Sequence, residues 1–230
     1  MKHAKLSFAL AAVLAAMPMI SFAQDAEEES SPWAWDLALT SDYVWRGYSQ
    51  TGEDPAIQAG LSYTTPVGIY VGAWASNVNF GGAGDWENDY YVGYNTDINE
   101  NVNFDIMYNY YSYPGDEITG DFGELIATGT FYENYSLTLA YTDNFVNSKT
   151  DAIYAAVGGE WSLPGDFGLS ASAGRSMFDD DFGEDYTDWS LGLSKDVGPA
   201  SLSLTYYDTD VDDDPMADSR IVFAISVSGP

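Results

Sequence analysis

Residues 102–113 read VNFDIMYNYYSY. Val102, Phe104, Ile106, Tyr108 and Tyr110 fall on one face of an extended chain, and Asn103, Asp105, Met107 and Asn109 on the other. Successive side chains of a strand point to opposite faces, so this stretch has one apolar, aromatic face and one mostly polar face. It runs about ten residues before Pro114 and Gly115 break it, which is the length and pattern of a strand crossing a bilayer inside a closed barrel.

The same unit recurs along the chain. The alternation predicts twelve strands, at 33–46, 56–63, 69–77, 86–95, 102–112, 122–131, 135–142, 151–161, 168–176, 186–194, 200–207 and 219–227. Short turns are expected at 64–68, 96–101, 132–134, 162–167 and 195–199. Longer loops are expected at 47–55, 78–85, 114–121, 143–150, 177–185 and 208–218. Five short turns and six long loops are the count for an all-β chain folded as a transmembrane, antiparallel, up-and-down β-barrel of about twelve strands, with both ends on the short-turn side. In outer-membrane barrels that side faces the periplasm. Charge sorts the two kinds of connection as well: the long loops carry 18 acids and the short turns five, so loop polarity alone does not account for the difference.

The expected outward faces are free of charge. They include Trp35, Leu37 and Leu39; Tyr90, Val92 and Tyr94; Leu137, Leu139 and Tyr141; Trp189, Leu191 and Leu193; and Ile221, Phe223 and Ile225. A Lys or Arg on such a face costs roughly 2–4 kcal/mol at the bilayer midplane. Aromatics gather near strand ends, at Trp33, Tyr63, Tyr135 and Trp161 on one side and Tyr43, Trp45, Trp86, Tyr110 and Tyr207 on the other, as interfacial girdles do. A soluble β-sandwich also alternates, but it does not usually crowd Tyr and Trp onto its apolar face or sort its loops by length.

The ends and the composition agree. Residues 1–23 have a basic start (Lys2, Lys5), an apolar run over 6–20 and a small-residue site at Ser21-Phe22-Ala23, which is a secretory signal peptide. Residues 24–32 read as a flexible polar leader, and 33–230 as one barrel domain. Removing Lys2 and Lys5 takes the formal charge from −29 to −31. Such a polyanion excludes nucleic acid as a partner. The whole chain has 0 Cys, and its 1 His, His3, leaves with the signal. Disulfide stabilisation, Ser-His and Cys-His catalysis and His-ligated metals are therefore excluded, and neither an enzyme nor a cofactor is expected. After the signal, no run of 18 apolar residues remains to span a membrane as a helix.

Several segments carry a family resemblance. Residues 41–51 read SDYVWRGYSQT, followed by PAIQAG at 55–60, GIYVGAWASNV at 68–78, ENDYYVGY at 87–94 and YYSYPG at 110–115. Together these resemble the TorF family of porins, also described as the Gcw_chp family. The specific motifs lie in the N-terminal half; after Asp121 only the strand rhythm matches. The resemblance implies a barrel in the outer membrane of a Gram-negative bacterium, with outer-membrane lipid and the β-barrel assembly machinery as partners. One departure is the C-terminus, where outer-membrane barrels typically end on an aromatic residue: this chain ends Gly229-Pro230, and Phe223 is its last aromatic.

Alternation places Asp36, Asp42, Asp89, Asp105, Glu124, Glu160 and Asp188 on the inward faces, with Arg46 sharing the parity of Asp36 and Asp42. Arg46 is expected to meet Arg220 near the outer rim, where the first and last strands adjoin. A lumen rich in carboxylates favours cations over anions. The expected function is passive, weakly cation-selective diffusion of small solutes through a porin-like channel, with these residues as pore lining. Twelve strands give a backbone diameter of roughly 24 Å before side chains narrow it. Two alternatives remain open: a non-conducting structural or surface-interaction barrel whose acidic outer loops bind divalent cations, and a soluble secreted β-protein that binds a ligand. For the loops, Asp208, Asp210, Asp212 and Asp214 alternate as calcium-loop carboxylates do, but without the glycine or distal glutamate of an EF-hand.

Overall fold

In the computed structural model, which describes residues 31–82, 85–115, 119–179 and 182–230, twelve antiparallel strands close into a barrel. The expected signal peptide and most of the leader lie outside the described residues. The wall is built from β1 (Trp33–Thr40), β4 (Ala56–Thr64), β5 (Ile69–Asn77), β6 (Trp86–Asn99), β7 (Val102–Ser112), β8 (Phe122–Phe131), β9 (Tyr135–Thr142), β10 (Ala152–Leu163), β11 (Phe167–Phe178), β12 (Tyr186–Val197), β13 (Ala200–Thr209) and β14 (Arg220–Gly229). Two short strands, β2 (Val44–Trp45) and β3 (Tyr48–Ser49), pair only with each other. Each wall strand pairs with its sequence neighbour, and β1 pairs with β14 from Trp35↔Gly229 to Thr40↔Ala224. Among the described residues no helix is long and apolar enough to cross a membrane, and the strands supply the crossing.

Side-chain parity follows the expected alternation. The apolar residues point outward, where Leu139, Leu191, Leu204 and Phe223 remain 50–55% exposed. That exposure, all around a closed wall, is a lipid-facing surface and excludes the soluble alternative. Polar and small residues point inward, together with large ones that include Trp74, Met107, Tyr111, Phe122 and Ile126. Tyrosine and glycine are matched across the pair β5–β6: Tyr70 stands opposite Gly93, and Gly72 opposite Tyr91. A Cβ on either glycine would fall 2.3 Å from the facing tyrosine ring. The glycines let these rings lie along the wall instead of projecting across the lumen.

The first strand is shorter than the expected 33–46. It leaves the wall after Thr40, whose hydroxyl donates to the Asp42 carbonyl at 2.7 Å. The Asp42 carboxylate then accepts from Ser49 Oγ (2.7 Å) and Thr51 Oγ1 (2.8 Å). These bonds hold residues 41–51 as a compact turn directed into the barrel. Conversely, β6 extends to Asn99, past the expected 95, through a register irregularity between Asp97 and Asn99.

The two faces of one strand should respond differently to the same charge. Leu139, on the middle of β9 and paired with Ala127 and Ala155, faces lipid. We expect Leu139→Arg to destabilise the folded barrel in phospholipid vesicles by about 2–4 kcal/mol, while Thr138→Arg, facing the lumen, costs well under half of that. Urea unfolding followed by tryptophan fluorescence compares the two.

Candidate functional site: the constricted lumen

The β2–β3 hairpin turns through Arg46 (φ 48) and Gly47 (φ 84), two successive positive-φ residues that join paired strands. Arg46 is thereby carried off the wall and across the lumen. Its guanidinium meets the carboxylate of Glu124 on β8 in a bidentate pair, Nη1 to Oε1 at 3.0 Å and Nη2 to Oε2 at 2.8 Å. β8 lies five strands from β1 by the shorter route round the wall. The guanidinium also packs 4.3 Å from the ring centroids of both Trp45 and Tyr154. Arg46 is 5% exposed and Glu124 1%. Burial alone would lower the Arg46 pKa, but the Glu124 carboxylate more than offsets this, and the guanidinium stays charged.

Aromatic side chains fill the space around this pair. Trp45 stacks on Phe145, which the loop after β9 brings inward, and Phe145 packs on Phe122 and Phe178. Tyr43, Trp74, Tyr91, Tyr111, Tyr113 and Phe122 join the same buried cluster. Tyr111 donates to Glu124 Oε2 at 2.9 Å. Burial, followed by the Glu87 and Asp89 charges, pushes the Tyr43 hydroxyl well above its usual range, so it remains a donor. The cluster occupies the long-loop end of the lumen, since β8 enters there at Phe122 and β6 at Trp86.

Towards the short turns the lumen is polar and its walls are half-buried. Tyr70 donates to Asp105 at 2.8 Å, and Asn95 donates to the same carboxylate at 3.2 Å. Asp36 and Glu160 also stand on this part of the wall. The Thr128–Thr138 and Ser172–Ser190 hydroxyl pairs continue the polar lining.

The expected lining residues therefore separate into two groups. Asp36, Asp89, Asp105, Glu124, Glu160 and Asp188 point inward from the wall, as alternation requires. Arg46 and Asp42 are not wall residues, because the strand ends before them. Arg46 does not pair up with Arg220 at the rim: Arg220 bonds Asp42 Oδ2 at 2.9 Å and lies 3.7 Å from Glu53, while Arg46 is engaged by Glu124. Sequence reasoning missed Glu87, which is 1% exposed and accepts from Tyr43 at 2.9 Å. It shares the parity of Asp89 in the ENDYYVGY segment, a signal that was present. The four candidate calcium carboxylates do not converge. Asp208 accepts from Tyr206 and from the Thr209 N–H, Asp210 from the Thr187 N–H, and Asp214 from the Met216 N–H. Asp212 is exposed. Among the described residues no group of three or more acids is placed to hold a metal.

A family model described as a bacterial protein of unknown function (Gcw_chp) matches residues 26–226. It carries the second of the two family names in the sequence resemblance, and not the TorF name. No protein among the curated sequences matches the chain. Among solved structures, the KdgM porin is similar at TM-score 0.58 and 8% identity, over 86% of this chain and 99% of that one. The NanC porin is similar at 0.56 and 10%, over 85% and 99%. An outer membrane channel from Pseudomonas putida F1 is similar at 0.54 and 10%, over 88% and 96%. At these identities the likeness is one of fold.

Breaking the buried pair from one side leaves an uncompensated charge in an apolar shell. Arg46→Ala is expected to destabilise the barrel by about 3–5 kcal/mol. The double variant Arg46→Met, Glu124→Gln should recover most of that loss, because it removes both charges and keeps the volume. Urea midpoints of the three folded proteins in detergent give the comparison.

Proposed function

We propose that this chain, which belongs to the Gcw_chp family of bacterial proteins, forms a narrow porin-like channel in the outer membrane of a Gram-negative bacterium, weakly selective for small cations. The observation that carries the reading is the charge lining the lumen. Eight carboxylates (Asp36, Asp42, Glu87, Asp89, Asp105, Glu124, Glu160 and Asp188) face two guanidinium groups, and both of those are already paired, Arg46 with Glu124 and Arg220 with Asp42. An acidic lining inside low-dielectric walls attracts cations and repels anions. The three half-buried acids Asp36, Asp105 and Glu160 meet water on the short-turn side, so they act as the electrostatic filter, while the hairpin sets the width.

The similar KdgM porin was solved in complex with oligogalacturonate, a polyanionic sugar. The lining described above has no free cation to receive such a chain, so we assign this protein a different solute class. Its similar structures are channels, and the lumen is given no catalytic role. One observation favours a second reading. Tyr111 (1%), Phe122 (2%) and Glu124 (1%) are almost wholly buried where solutes would have to pass, as a plugged, non-conducting barrel would require.

Single-channel recording of the folded mature chain in a planar bilayer, under a salt gradient, separates the two. The channel reading expects discrete steps with a reversal potential on the cation side. The triple variant Asp36→Asn, Asp105→Asn, Glu160→Gln should move that potential towards zero without changing the step size much. Arg46→Ala should enlarge the steps. A verified barrel, shifting its gel mobility on heating, that gives no steps as wild type or as Arg46→Ala would leave the plugged reading in place.

A further inference from the structure

The buried layer of the lumen does not balance its charge. Asp42, Arg46, Glu87, Asp89, Glu124, Asp188 and Arg220 are its ionisable acids and bases. Two ion pairs account for Arg46, Glu124, Arg220 and Asp42. Glu87, Asp89 and Asp188 are left without a basic partner among the described residues. Asp188 lies in the field of Arg46 and accepts from Tyr154 at 3.2 Å. Glu87 and Asp89 have no such relief. They stand two residues apart on the inward face of β6, 1% and 3% exposed, close enough for the charge of each to act on the other.

Each of these carboxyls is held from behind. The Tyr43 hydroxyl donates to Glu87 Oε1 at 2.9 Å, and the buried Tyr113 ring stands near the same carboxyl. Asn109 Nδ2 donates to Asp89 Oδ2 at 3.0 Å. Asp89 Oδ1 is buried and has no hydrogen-bond partner. The neighbouring wall supplies no positive charge: Trp74 and Ser76 stand on β5 opposite Asp89 and Glu87, and Tyr111 faces Asp89 from β7. Two carboxylates buried together without a countercharge are unfavourable by many times the thermal energy. An orphaned carboxylate oxygen beside a second carboxylate is where a positive ligand belongs.

We propose that Glu87 and Asp89 bind one small divalent cation of the calcium and magnesium class. All the donor atoms are oxygen, which selects hard cations over thiophilic ones. The charge of two carboxylates matches a single divalent ion. Asp89 Oδ1 and the Glu87 carboxylate are the charged ligands, while Tyr43 and Asn109 are positioning residues that fix how those carboxyls point, as outer partners do around metal ligands. The proposal stands whether or not the barrel conducts. In a conducting barrel, the site lies within the constriction on the path of the permeating cation.

The test is metal retention. The mature chain is folded in detergent after EDTA treatment, incubated with calcium chloride alone or magnesium chloride alone, and separated from free metal by gel filtration. Mass spectrometry then counts the metal that stays with the protein. Wild type should retain about one equivalent, and its urea midpoint should rise with calcium and fall with EDTA. Glu87→Gln and Asp89→Asn, which keep the shape and remove a charge, should retain none and lose the calcium response, while the loop variant Asp212→Asn, Asp213→Asn should behave as wild type. Tyr43→Phe keeps the ring and releases Glu87, and should weaken retention at least several-fold if either acid variant fails to fold. Folded wild type that retains no metal overturns the proposal, and a proton shared between the two carboxyls then neutralises the pair. Equal retention by wild type and Asp89→Asn, or by wild type and Tyr43→Phe, also overturns it and moves the metal to the outer loops.

Discussion

Hydrocarbon offers no partner to a backbone N–H or C=O, so a chain that crosses it in strands must pair every strand on both sides. The seam between β1 and β14 meets that requirement here, and the rest of the structure depends on it. Without the seam, two strand edges would face lipid. With it, the parity of every strand becomes fixed relative to every other, because a slip of one residue would turn a whole row of leucines and tryptophans into the lumen. The closed ladder also does what disulfides do in many exported proteins, in a chain whose sequence contains 0 Cys.

Closure creates an interior that must itself be satisfied, and this barrel fills it unevenly. Near the short turns, hydroxyls, amides and half-buried carboxylates line a polar space. Near the long loops, residues 41–51 fold inward and a tyrosine-rich core forms around Arg46 and Glu124. The ion pair is placed where its desolvation would otherwise be costly, and the cost is offset by bidentate geometry and by the two aromatic rings that cover the guanidinium. The glycines opposite Tyr70 and Tyr91 serve the same economy of space, because they keep large donors against the wall. The hydrogen bonds of Asp42 with Ser49 and Thr51 then hold the inward turn at its root.

Much of the wall was legible in the sequence because a period of two is a local property. The stretch at 102–112, its repeats and the alternation of short and long connections were sufficient for strand number and topology and for the inward parity of Asp36, Asp89, Asp105, Glu124, Glu160 and Asp188, though not for the place of Asp42 or the burial of Glu87. The hairpin was not legible in the same way. Residues 41–46 continue an alternating pattern and contain a tryptophan, so they read as more strand. What removes them from the wall is a set of contacts with residues up to 178 positions away, such as Arg220 with Asp42. The one local sign was the Arg46-Gly47 turn between Trp45 and Tyr48, which suits a two-residue hairpin. Glu87 was overlooked for a different reason: its parity was readable within the expected strand at 86–95, but nothing local distinguishes an acid solvated at the rim from one buried there, and its burial comes with Tyr43 on the inward turn.

The two arginines inside the barrel are both engaged in holding loop segments. Arg46 determines whether the hairpin lies across the lumen, and Arg220 anchors the base of that hairpin through Asp42 and Glu53. Neither guanidinium is left to attract an anion. The electrostatic character of the lumen therefore falls to the acids on the wall, and Asp36, Asp105 and Glu160 stand at a different level from the hairpin. In the channel proposed above, width and charge preference would thus be carried by different residues on different elements. A change to one should leave the other largely intact, because the strands that hold the wall acids are fixed by the closed ladder and not by the hairpin.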